Sequence, residues 1–226
     1  MVELPGLPSP LPWRRSARAA RFLLRVRPAD GEVELVIPRG APGGPALDFA
    51  LGNLDWIGER RARARSRLAF RDGMTLPFLG APHLLAHLPL ALGGVWREGA
   101  TIFVSGRAEH VNRRVGDWLR GEARRAIQPA ALAAAARVGR RIRRISIRDT
   151  ATRWGSCSSG GALSFSWRLI LAPAEVLAYV VAHEVAHLRE MHHGPAFWRL
   201  VELLRPDAAT QRDWLRRHGT ELQRYG

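Results

Sequence analysis

The segment His183-Glu184-Val185-Ala186-His187 constrains this chain more than any other. Two histidines four residues apart share a direction only on a helix, where such a step turns the chain by about 40° net and rises about 6 Å. The flanking Tyr179, Val180, Val181, Ala182, Val185, Ala186 and Leu188 predict that this helix is buried. Pro173 suits a first helical turn, and the pattern predicts a helix of about 18 residues from there through Glu190.

Two neutral imidazoles on one face form a natural zinc chelate. Glu184, one residue after the first histidine, can reach a water on such a metal without being a ligand, and so can act as general base. A tetrahedral catalytic site needs a third protein ligand and one open position. Four of the eight histidines lie within residues 183–193. His193, six residues beyond His187, matches the reach of a chain that leaves the helix and turns back. It is preferred over the competing His192, with Glu202 as a carboxylate alternative. His83 and His87 repeat the four-residue step, but without the glutamate and in a stretch that reads as strand, so they receive no metal role. The single cysteine, Cys157, excludes an intramolecular disulfide framework or a multi-cysteine zinc site. It reads as a small buried hydrophobe.

At 226 residues and 46% hydrophobic, the chain is long and apolar enough to bury a core in one or two domains. No apolar run approaches a membrane span, and the proline-broken N-terminus does not read as a secretory signal. A reducing, cytoplasmic location is the expectation. The net charge of +15 comes from 35 basic residues that are all arginine. Phosphate binding would draw on lysine as well, so the complete absence of lysine beside abundant Ala, Gly and Pro reads as codon bias. The charge raises non-specific affinity for polyanions, and nucleic acid is a partner supported by charge alone.

Residues 1–15 read as a flexible, proline-rich lead-in, 16–106 as a β-rich N-terminal domain and 107–226 as a second, α+β domain. Phe22–Val26 and Val33–Ile37 flank the turn cluster Pro28-Ala29-Asp30-Gly31 and predict a hairpin. A short helix is expected over Leu47–Arg60, a solvated charge run over 61–67, and further β structure over 68–105. Residues 107–126 read as a helix that Pro129 interrupts, resuming at Ala130–Val138. Strands are expected at Arg143–Arg148 and Ala162–Leu171, and the final helices at Pro195 to about Leu204 and about Ala208–Arg217.

Arg153-Trp154-Gly155-Ser156-Cys157-Ser158, Ser166-Trp167-Arg168-Leu169-Ile170-Leu171-Ala172-Pro173 and the HEVAHLREMHHGPAFW segment of 183–198 together resemble the YgjP-like zinc metallopeptidases, relatives of the SprT-like proteases. The similarity extends over about residues 16–218, back through the RRSARAARFLLRVRP opening. It implies an α+β fold in which a small β-rich N-terminal region precedes a minimal zincin-like domain with a buried HExxH helix. It also implies His183, His187 and His193 as ligands of one Zn2+ and Glu184 as the catalytic residue. His192 stands where the family usually has asparagine, and Gly194 where it usually has serine.

The expected activity is therefore hydrolysis of peptide bonds in a peptide or protein substrate, through a metal-activated water with Glu184 as base. Trp154 is a candidate for lining a substrate cleft beside an edge strand, or else a core aromatic. Arg153 and Arg168 are candidates for binding substrate or a developing oxyanion, or else for structural ion pairs. Phe197 and Trp198 read as core. Two rivals differ in class. One is a zinc hydrolase of a non-peptide substrate such as a nucleotide phosphoanhydride, which the lack of a Gly-rich phosphate loop disfavours. The other is a nucleic-acid-associated protein with a protease-like domain, for which no nucleic-acid-binding module is evident.

Overall fold

The computed structural model describes residues 11–27, 31–63, 67–150 and 153–226. The chain forms an α+β protein of two compact units, Met1–Arg67 and Leu68–Gly226.

In the first unit, β1 (Trp13–Ser16), β2 (Leu23–Val26) and β3 (Val33–Pro38) form a sheet of order β1-β3-β2. The expected hairpin is present, with Val26 opposite Val33 in antiparallel register; its turn residues 28–30 lie outside the described residues. Strand β1 runs parallel to β3, and Leu11 is buried. The end of the expected flexible lead-in is thus tied into the sheet, while residues 1–10 lie outside the described residues. Val33, Leu35 and Ile37 alternate along β3 and pack with Ala46, Ala50 and Ile57, as period-two patterning requires. The single helix expected over 47–60 is two, α1 (Gly43–Leu51) and α2 (Leu54–Arg63). Between them, Gly52 and Asn53 turn back onto the carbonyls of Asp48 and Ala50. Within the charge run of 61–67, residues 64–66 lie outside the described residues.

The second unit begins with a four-stranded sheet of β4 (Thr75–Phe78), β5 (Ala81–Leu88), β6 (Val95–Glu98) and β7 (Thr101–Ser105), in the order β4-β5-β7-β6. These strands were assigned by sequence to the N-terminal domain ending at residue 106. Their apolar face instead shares one core with the helices that follow: Leu76, Leu85, Ile102 and Val104 cluster with residues of the long helix α3 (Val111–Arg137). The compact units therefore divide at Arg67–Leu68. Shared burial joins what a shift in local pattern separates.

Helix α3 is continuous through Pro129, where the sequence reading placed a break. Proline's fixed φ is compatible with a helix; its cost is the missing N–H and the clash with the carbonyl of Arg125. Burial of Leu119, Ala123, Ile127, Ala131 and Ala135 on either side holds the helix together across that defect. Pro129 itself is exposed. Pro129→Ala is therefore expected to stabilise the protein by about 2 kcal/mol, the interior-proline cost less the entropy returned to the unfolded chain. Chemical denaturation measures it, and a lower midpoint for the variant would contradict it.

A second sheet, order β8-β10-β9, joins β8 (Arg144–Arg148) parallel and β9 (Gly155–Cys157) antiparallel to β10 (Ala162–Ser166). The strand expected to reach Leu171 ends at Ser166, whose hydroxyl accepts from the Arg168 N–H. The buried residues Trp167–Leu171 form a short 3-10 helix that leads to Pro173. Helices α4 (Ala174–Ala186), α5 (Pro195–Leu204) and α6 (Ala208–Leu222) complete the unit. Helix α4 packs against α3, α5 and α6, and the small Ala123, Ala131 and Ala135 permit close approach on the α3 side. Helix α6 continues past the expected end at about Arg217 and through Gly219. That glycine is a contact point: a Cβ there would lie 3.1 Å from the Trp154 ring. Among the described residues, no helix is long and apolar enough to cross a membrane.

Candidate active site

Helix α4 ends earlier than its sequence pattern suggests, and that ending shapes the site. His187 is its C-cap. The Leu188 and Arg189 amides bond back to the carbonyls of Val185 and Ala186, tightening the last turn as helix ends commonly do. The His187 ring Nδ1 lies 3.0 Å from the Glu190 carbonyl. A donated proton there leaves Nε2 as the free acceptor. The chain then returns, and His193 arrives just before α5.

His183, His187 and His193 form a cluster whose ligand atoms all lie within 4.8 Å of one another, with the Nε2 atoms of His183 and His193 3.1 Å apart. Nitrogens on a tetrahedral zinc, at bond lengths of about 2.0–2.1 Å, are separated by about 3.3–3.4 Å, so the donor set suits zinc and the His183–His193 spacing is close to that value. His192 is exposed and outside this cluster, as is Glu202 on α5.

The environment of His183 and His187 favours neutral imidazoles. Burial, reinforced by the charges of His187, His193 and Arg212, holds the His183 pKa down at about 4. Burial also lowers that of His187, partly opposed by the Glu190 carbonyl. Phe197 is fully buried and floors the cluster, its ring centroid 4.5–4.9 Å from all three imidazoles. Trp198 stacks on His193 at 6.0 Å and carries the Arg212 guanidinium on its ring, 4.9 Å from the centroid.

Glu184 is 6% exposed. Burial raises its pKa to about 7, against the pull of the Arg153 charge, which places the carboxyl in the range suited to proton transfer near neutrality. Its side chain lies against Gly155 on the edge strand β9: a Cβ at that position would sit 2.5 Å from both Cγ and Oε1 of Glu184. Real side chains do not approach so closely, so the absence of one at residue 155 makes room for the carboxyl.

Of the other candidates, Arg153 is exposed and its charge reaches Glu184. Trp154 is half-buried, packed in the core and against Gly219 of α6. Arg168 is 1% exposed and committed elsewhere: it pairs with Asp149 and donates from Nε to the Tyr225 carbonyl at 2.8 Å, with Trp167 beneath its guanidinium. These contacts make it a structural arginine. The Cys157 thiol is pushed up to about 11 by burial and the Glu184 charge, which disfavours its thiolate. His83 and His87 lie on β5, where a ring nitrogen of each meets a backbone carbonyl, of Ala81 and Gly106 respectively. Sequence reasoning missed Gly155 and Arg212 and treated Trp198 only as core. Arg212 carries no local signal, because α6 is far from the histidines in sequence.

The family profile described as YgjP-like, metallopeptidase domain, matches residues 22–218. The solved crystal structure of the metallopeptidase zymogen of Pyrococcus abyssi abylysin is 24% identical in sequence. The match covers 44% of this chain and 97% of that one, with a TM-score of 0.37. No curated protein matches the chain in sequence.

Proposed function

Since the chain belongs to the YgjP-like metallopeptidase family, we propose that it is a zinc-dependent peptidase that hydrolyses peptide bonds with Glu184 as general base. The observation that carries this reading is the convergence of three imidazole ligand atoms within 4.8 Å, on the helix that also bears the buried Glu184. His183, His187 and His193 would hold the ion. When bound, zinc supplies Lewis acidity, polarising a carbonyl and making a water acidic near neutral pH.

The protein's own residues do the rest. Glu184 accepts a proton at its carboxylate, holds it in a site of restricted water access, and returns it to the departing amine. Its raised pKa makes both transfers feasible near neutrality. Arg153 supplies a nearby positive charge that keeps a share of the carboxyl ionised. The Glu190 carbonyl orients His187, the kind of support that fixes a ligand's tautomer. The outer edge of β9, unpaired among the described residues and running past Glu184, is suited to receive an extended peptide by strand addition.

The test is metal analysis joined to a peptide-cleavage screen. About one zinc per chain, cleavage abolished by a chelator and restored by added zinc, are the expected results. His187→Ala should lose both metal and cleavage while remaining folded by circular dichroism. A chain that takes up no zinc on reconstitution would end this reading.

A further inference from the structure

Beside His187 lies a cavity of about 350 Å³ lined by Arg140, Arg141, Arg189, the β9–β10 turn and the residues just after α4. That turn, Ser158–Gly161, is closed by the Gly161 N–H on the Ser158 carbonyl at 2.9 Å. The Arg143 guanidinium lies near Gly160 on its rim. No acidic residue lines the cavity. Among the described residues, Arg140, Arg141, Arg143 and Arg189 have no carboxylate partner. Many other arginines of the chain do, including Arg113, Arg120, Arg125 and Arg205. Arg189 donates to the Val138 carbonyl at 3.4 Å; guanidinium groups without a carboxylate partner around a concavity favour an anion from outside the chain.

The place of the cavity identifies the anion. Strand β9 passes Glu184 at Gly155 and ends in the turn that walls the cavity, with Ser158 three residues further on. At about 3.3 Å per residue, that is a run of roughly 10 Å. A peptide extended along this edge with its reacting carbonyl near Glu184 would bring a group two or three residues away to the arginines. Peptides carry negative charge as carboxylates.

We propose that this cavity is a subsite for a substrate carboxylate, from an acidic side chain or a free C-terminus two or three residues from the bond cleaved. The assignment rests on the peptidase reading above. A charge-assisted contact of this kind gives about a tenfold preference.

The experiment compares amidated neutral peptides, the same peptides with one glutamate scanned through each position, and neutral peptides with a free C-terminal carboxylate. Zinc-loaded full-length protein is assayed for kcat/KM, and zinc-loaded Glu184→Gln for binding by fluorescence anisotropy. The expected result is about a tenfold preference for one acidic position or for the free terminus. The ratio of acidic to neutral should fall toward one in Arg140→Ala/Arg141→Ala, with zinc content and melting temperature retained. The scanned glutamate and the free terminus distinguish the two sources. Equal handling of acidic and neutral peptides by the wild type, or a preference that survives the double substitution, would overturn the proposal. So would a single-stranded polynucleotide that displaces peptide while acid and amide bind alike, which would mark a phosphate site. If no peptide is cleaved but Glu184→Gln still selects the acid, the peptidase reading fails and the carboxylate site stands.

Discussion

Glu184→Gln is expected to lower peptide hydrolysis by about 10²–10⁴-fold, the usual contribution of a positioned general base, while leaving zinc content unchanged. The amide keeps the shape of the side chain and cannot take a proton. The substitution also has a stability signature. Burial raises the Glu184 pKa from an ordinary 4.5 to about 7, so the metal-free native state binds a proton that the unfolded chain releases earlier. Stability from this group is fully present below the ordinary value and declines as pH rises through about 7. Metal-free Glu184→Gln should lack that decline and melt at or above the wild type at neutral to mildly alkaline pH. Scanning calorimetry from about pH 4.5 to mildly alkaline pH measures it. Wild-type turnover by the variant would remove Glu184 from the base role.

Gly155→Ala should be nearly as damaging, although the residue has no chemistry of its own. Its new methyl group would lie 2.5 Å from Cγ and Oε1 of Glu184 and 2.7 Å from Cδ. Because Glu184 is buried, either the carboxyl or strand β9 must shift, and displacement of a catalytic group by about 1 Å can cost on the order of 10²-fold in rate. The histidines come from α4 and the chain just after it, so zinc binding should persist. A positioning role predicts a specific coupling. In the double variant Gly155→Ala/Glu184→Asp, the shorter acid relieves the contact, so the methyl group should cost much less than it does in front of glutamate. A double-mutant cycle on kcat measures this, with zinc content as control. Independent, multiplying losses would show that Gly155 acts on the fold and not on the carboxyl.

The two predictions differ in how visible they are in the chain. The Glu184 prediction follows from residues adjacent in sequence. The Gly155 prediction needs the strand laid against the helix, and no glycine pattern announces it. Arg168 makes the same point in reverse. Its place in a motif-like segment suggested substrate contact, whereas Asp149 and the Tyr225 carbonyl, distant in sequence, engage its guanidinium. Local rule placed a break at Pro129 and the end of α6 at about Arg217, ahead of Gly219. Packing of Ile127 and Ala131 around Pro129, and of Trp154 on Gly219, outweighed those propensities.

The sequence by itself determined the residues that define the candidate site: the His183–His187 pair, the interposed Glu184 and the apolar helix that carries them. Helical geometry is local, and four residues suffice to define a common face. It also determined the α+β class and most strands, because alternation along a strand is local too. The tertiary structure set His193, already preferred on the sequence, into the cluster while His192 and Glu202 remained outside. It likewise decided that Gly155 would yield space to Glu184, that Arg212 would reach Trp198, and that strands 75–105 would share a core with α3. Each of these depends on which distant surfaces are buried against one another, and burial free energy has no address in the local sequence.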